Sequence, residues 1–184
     1  MARLPIVALL ALLLAAPAAA APPSTGPQYT AKGELIPPPD YRDWVFLTSS
    51  LDLNYAPGQP KTHVFDNVFV DPASWAAFKK TGHWPDKTVM VRENLVGGAE
   101  TSIAKAGQFQ TEHNLGLELH VRDDARFKGG WGFFATDGKP AALIPYQADC
   151  YSCHEQHGSS QSTFTQFYPT AKPIAHKAGN YAER

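Results

Sequence analysis

Leu115-Gly116-Leu117-Glu118-Leu119-His120-Val121-Arg122 alternates between apolar residues and small or polar ones. Side chains along a β-strand point to opposite faces with a period of two. Leu115, Leu117, Leu119 and Val121 therefore share one side, and Gly116, Glu118, His120 and Arg122 the other. An antiparallel sheet with one greasy and one polar face is the natural setting for such a strand. Upstream, Thr88-Val89-Met90-Val91-Arg92-Glu93 places Val89 and Val91 on one face and Met90 and Arg92 on the other, and Gly97-Gly98 breaks the pattern a few residues later.

Further strands lie on either side. Thr62 to Val70 is rich in β-branched and aromatic residues, and Trp44-Val45-Phe46-Leu47 is a short apolar run that reads as a buried strand. Trp131 to Ala135 is another, ended by the Asp137-Gly138 turn. One helix is well signalled. Asp71 suits an N-cap, Pro72 the first helical position, and Gly82 the left-handed residue after the last turn. Val70 and Trp75 stand at the spacing of a hydrophobic staple. Trp75 and Phe78 turn an aromatic face to the sheet, while Lys79 and Lys80 face solvent. Asp123 to Phe127 reads as a short helical turn closed by Gly129-Gly130. The fold class is mainly β (α+β): a largely antiparallel sheet of about five strands with a few short helices.

The chain has 184 residues, with 16 Lys and Arg against 17 Asp and Glu. Residues 1–20 read as a signal peptide: Arg3 is the positive n-region, Leu4 to Ala16 the apolar stretch, and Ala18-Ala19-Ala20 the cleavage site. Pro5 and Pro17 bracket the apolar run and leave it short for a membrane span. Cleavage would remove Arg3, leaving 15 basic and 17 acidic residues, a net charge of −2. So balanced a surface gives no argument for nucleic acid or a polyanionic membrane as partner. Residues 21–39 hold six prolines, Pro22, Pro23, Pro27, Pro37, Pro38 and Pro39, and read as a tethering arm rather than packed structure. Residues 40–184 are long enough for one domain with a real core.

The chemistry is concentrated in Cys150-Tyr151-Ser152-Cys153-His154. C-x-x-C-H is the attachment pattern of a c-type haem: two thiols bond the porphyrin and the adjacent imidazole ligates its iron. The chain has two cysteines, and both are in this motif. A structural disulfide would close too small a loop to stabilise much. A thioredoxin-like pair belongs beside a βαβ unit, which this sequence lacks. A zinc site would need Cys150, Cys153, His154 and His157 together, too crowded for closed tetrahedral geometry. One covalently attached haem c, with Cys150, Cys153 and His154 holding it, is the cofactor expected, in an exported protein of the bacterial periplasm. Aromatic residues in Thr163 to Tyr168 stand ready to wall the porphyrin.

Several separated blocks resemble the cytochrome P-460 and cytochrome c′-beta family. They are Gly33-Glu34-Leu35 with Tyr41-Arg42-Asp43-Trp44-Val45, Asp71-Pro72 through Phe78 to Gly82, and Gly116-Leu117-Glu118 with Val121-Arg122-Asp123. Arg126-Phe127 with Gly130-Trp131, the haem motif, and Phe164 to Pro169 complete the set. The resemblance implies an antiparallel β fold, commonly homodimeric, with a five-coordinate haem open on its distal side. In the P-460 enzymes a lysine in a Thr-Val-x-Val-Lys-Glu stretch also bonds the porphyrin; here Arg92 holds that position. A guanidinium stays protonated and is a poor nucleophile, so no third link is expected. Arg92 is instead expected to hydrogen-bond an iron-bound ligand, or to pair with a haem propionate or Glu118. By the same resemblance Glu118 is the distal carboxylate that handles protons, and Phe65 the distal phenylalanine that crowds ligands.

The reading that follows is a haem protein that binds or converts small nitrogen species, chiefly nitric oxide and also hydroxylamine, with another cytochrome as a redox partner. Two alternatives stand beside it. Met90 could fill the sixth iron position and make an electron carrier, since thioether ligation raises a haem's potential. An open histidine-ligated haem beside Arg92 and an acid also resembles a peroxidase pocket in outline.

Overall fold

A computed structural model describes residues 26–54, 58, 60–103 and 105–184; the expected signal peptide lies outside them. The strands β1 (Gln28–Tyr29) and β2 (Leu35–Ile36) form a small antiparallel ribbon. A second, five-stranded sheet is an antiparallel meander of β3 (Val45–Leu51), β4 (Val64–Val70), β5 (Val89–Gly98), β6 (Phe109–Arg122) and β7 (Trp131–Thr136), in that order. Among the described residues the α-helices are α1 (Pro72–Thr81), α2 (Asp149–His157) and α3 (Lys172–Lys177). The mainly β class and the five-strand sheet expected from sequence are what the chain adopts.

Both faces of the large sheet are covered. Val89, Val91, Leu117, Leu119, Val121 and Phe134 form one core with Leu35, Tyr41, Trp44 and Phe127. Met90, Val70, Trp131 and Phe133 form the other, with Phe78 and Trp84 and with Tyr168, Ala171 and Ala175 from the C-terminal segment. The alternation read in β5 thus sorts side chains between two cores, not between core and water.

Four local expectations need correction. The segment read as a tethering arm packs where it is described: Leu35 is buried in the first core and pairs with Ala141. Prolines there limit backbone pairing to short pieces without preventing burial. The run at Val45 to Leu47 is an edge strand, and Phe46 is exposed while Leu47 is buried; a short apolar run does not distinguish edge from centre. β5 runs through Gly97-Gly98 instead of stopping before them. Leu115 leaves its apolar row: Asn94 pairs with Gly116 but Leu95 pairs with Asn114. Leu115 is therefore the extra residue of a bulge, and it is exposed.

α1 follows its signals closely. Asp71 Oδ1 accepts from Ser74 N at 2.8 Å, and Gly82 adopts φ 71° at the C-terminal end. A Cβ at Gly82 would lie 2.2 Å from the Ala178 methyl, so glycine is required there twice over. Asp71 also accepts from Val89 N at 3.0 Å through its other oxygen, tying the helix start to β5. Its removal would leave two N–H groups of a buried region without acceptors. Asp71→Ala is expected to lose about 2 kcal/mol, a lost cap plus an orphaned donor, read as a lowered urea midpoint with unchanged slope.

Candidate functional site

The rows of the sheet build one wall of a cavity of about 580 Å³. Thr48, Val68, Arg92 and Glu118 stand directly opposite one another in successive strands β3 to β6. Ser50 and Asp66 form the neighbouring row on one side, Met90 and His120 the row on the other. All eight line the cavity. α2 and the segment after it make the facing wall, with Cys150, Cys153 and His154 on the helix and Phe164, Phe167 and Tyr168 beyond it.

The motif takes this form because of helical spacing. Residues three and four apart lie on one face of a helix, so Cys150, Cys153 and His154 reach the cavity together. Both thiols are free, and burial pushes the Cys150 thiol pKa up. His154 is buried, with its ring against Phe133 and Phe164 at centroid distances of 4.7 and 4.4 Å. Its Nδ1 lies 2.8 Å from the Ser162 carbonyl oxygen. A carbonyl only accepts, so Nδ1 carries the hydrogen and Nε2 keeps its lone pair. Burial lowers the His154 pKa, favouring the neutral ring that a metal requires. An imidazole oriented through one nitrogen with the other free is the usual form of a metal-ligating histidine.

The Ser162 carbonyl is presented by a tight turn in which Gln161 and Ser162 have φ of 47° and 57°. Non-glycine residues keep such angles only where their surroundings impose them. Gln161 Oε1 accepts from Trp84 N at 2.6 Å, and Asn180 Nδ2 donates to Ser160 Oγ at 2.8 Å. Gly158 lets the turn come this close to α2: a Cβ there would sit 2.6 Å from the His154 carbonyl oxygen and 2.8 Å from Thr163 N.

Arg92 points into the cavity and is held from both sides. Nη2 donates to Asp66 Oδ1 at 2.6 Å and Nη1 to Glu118 Oε2 at 2.8 Å. Burial works against its charge, but Glu118 and Asp66 together outweigh this and raise its pKa. Asp66 is buried and also accepts from Ser50 Oγ at 3.3 Å. Burial raises its pKa, against the lowering effect of Arg92. The pairing with Glu118, one of the partners expected for Arg92, is present.

The sequence reading is corrected at Phe65. Asp66 and Val68 line the cavity, while Asn67 and Phe69 border a second hollow on the opposite face of the sheet. Phe65 shares the parity of Asn67 and Phe69, so it points away from the haem motif. Asp66 and His120 were not singled out. The His120 ring is 4.6 Å from that of His154, edge to face. Burial, then His154 and Arg92, lower its pKa well below the usual value. Register alone would have found both: His120 pairs with Met90, and Asp66 lies two residues before Val68, the partner of Arg92.

On the other side of β5, Glu93 fastens the N-terminal segment. It is buried and accepts from Tyr41 Oη at 2.5 Å and Arg42 Nε at 2.9 Å, and from Asn67 Nδ2 at 3.3 Å. Arg92 and Glu93 thus send opposite charges through opposite faces of one strand.

The residues present fit a haem: a cavity with aromatic walls, two free thiols, and an oriented neutral imidazole on one helix face. No curated protein matches the chain at a significant level. The sequence model of Cytochrome P460 matches residues 38–165, which spans the β-sheet, the Arg92 and Glu118 rows and the haem motif. The chain belongs to the cytochrome P460 family, and haem is the cofactor this membership implies.

Proposed function

We propose that the chain is a c-type cytochrome that binds nitric oxide at an open iron site, with hydroxylamine as a further ligand. The observation that carries this reading is the meeting of Cys150, Cys153 and His154 with Arg92 and Glu118 in one cavity. Cys150 and Cys153 would hold the porphyrin; each S–H adds across one vinyl double bond, so no oxidant is consumed. His154 Nε2 would ligate the iron, which supplies a free coordination position for a small nitrogen ligand. Val68 and Met90 give the opposing sheet its apolar surface, in the place first assigned to Phe65. Glu118 would face the ligand with its carboxylate, which Arg92 fixes in position.

Arg92 stands where the P-460 enzymes have their bonding lysine, and a protonated guanidinium clasped by two carboxylates is no nucleophile. This favours nitric oxide binding over hydroxylamine turnover. Purified ferrous protein is expected to take up nitric oxide stoichiometrically and to oxidise hydroxylamine slowly. Rapid steady hydroxylamine oxidation would overturn that preference.

Met90 lines the same cavity, which keeps an electron carrier as the second reading. A Met90→Ala protein with an altered reduced spectrum would support it; an unchanged spectrum would remove it. An exported, periplasmic protein that forms a homodimer and exchanges electrons with another cytochrome completes the proposal.

A further inference from the structure

The cavity wall carries an uneven charge. Among the described residues, Asp66, Glu118 and Asp149 line it with one cation, Arg92. Both ends of that guanidinium are already engaged, by Asp66 on β4 and Glu118 on β6. A lone arginine over an iron site would draw anions toward it through charge-assisted hydrogen bonds. Here two carboxylates clasp one guanidinium, so the trio carries a net negative charge. Asp66 is the buried member, 5% exposed, whereas the Glu118 side chain is 41% exposed and partly screened by water.

We propose that Asp66, acting through Arg92, sets the ligand class of the cavity: neutral and cationic nitrogen species are admitted, and anions such as nitrite or azide are disfavoured. Asp66 is a positioning residue in this scheme, since it bonds Arg92 and not the ligand. It confines the guanidinium between two carboxylates and adds the charge that overcompensates it. A unit charge within several ångströms of a poorly solvated site changes ion affinity by about tenfold or more. A neutral diatomic ligand feels almost none of that. The cavity is thereby suited to nitric oxide and to hydroxylamine in its neutral or protonated form.

This inference rests on the haem reading, and its test separates the two. Azide binding to the ferric holoprotein and carbon monoxide binding to the ferrous form are titrated optically, in wild type, Asp66→Asn and Asp66→Glu. Asp66→Asn is expected to bind azide about tenfold more tightly with carbon monoxide affinity unchanged, and its midpoint potential should rise because an anion near the iron is gone. Asp66→Glu keeps the charge and should return azide affinity toward wild type. Glu118→Gln removes the other carboxylate at a more exposed position, so it tests the same charge if Asp66→Asn does not fold. Unchanged or weaker azide binding in the neutralised variants, with carbon monoxide still bound, would overturn the inference and leave the haem reading standing. Failure of wild-type ferrous protein to bind carbon monoxide would overturn both.

Discussion

A variant with serine at both 150 and 153 is expected to lose all covalently held haem. Denatured wild type should keep its haem-linked peroxidase stain on a gel, and the double variant should show none. The reasoning is geometric. Cys150 and Cys153 stand three apart on α2 and line the same cavity, so both thiols would reach one flat group held there. A serine hydroxyl is far less nucleophilic than a thiol and does not make the bond. Each single variant should retain one attachment and a weaker stain. A full stain in the double variant would show that the chain is bonded elsewhere.

The second large effect concerns stability. Glu93 is 2% exposed and satisfies donors from Tyr41, Arg42 and Asn67. Glu93→Ala would leave the buried Tyr41 hydroxyl without its acceptor and release Arg42, whose side chain is 62% exposed, to water, while Asn67 keeps Gln110. Orphaning a buried polar group and losing a charge-assisted hydrogen bond together remove about 2–3 kcal/mol, a large share of a domain's stability. Chemical unfolding should show a sharply reduced midpoint, and Glu93→Gln should lose less because one acceptor oxygen remains. An Ala variant within 1 kcal/mol of wild type, about the worth of a single hydrogen bond, would mean that the network is ornamental.

The same network gives a pH dependence. Burial, and then the hydrogen bond and charge of Glu93, push the Tyr41 pKa up to about 12 from its usual 10. The folded state therefore keeps this proton when the unfolded state has lost it. Stability from Tyr41 is fully present below pH 10 and is lost as pH rises toward 12. Tyr41→Phe should be less stable at neutral pH and should show a flatter decline across that window.

Much of this architecture could be read in the chain. The start and stop of α1 were written in Asp71, Pro72 and Gly82 because capping is local chemistry, satisfied within four residues. The partition of β5 was written in its alternation, and Arg92 and Glu118 do face one cavity. What escaped was set by pairing between strands. In Val64-Phe65-Asp66-Asn67-Val68-Phe69-Val70 both faces of β4 are covered, so hydrophobicity does not say which side holds the haem motif. A wrong choice moves every side chain to the other face, as happened with Phe65. Pairing of Val68 with Arg92 resolves it and brings Asp66 into the site. The Leu115 bulge was hidden in the same way, since one inserted residue leaves no mark on an alternating stretch. The prolines of residues 21–39 suggested an arm, yet Leu35 is buried through contacts with residues a hundred positions away.

The central proposal is a haem that Cys150, Cys153 and His154 on α2 would hold, with one coordination position free for a ligand. The most direct test is the optical spectrum of purified, reduced holoprotein before and after nitric oxide. A high-spin spectrum at the ordinary c-type position that shifts at once on addition is the predicted result. A low-spin spectrum that ignores nitric oxide would contradict it, placing a side chain such as Met90 on the iron. A strongly red-shifted main band would contradict the chemistry assigned to Arg92, because it would report a third bond to the porphyrin.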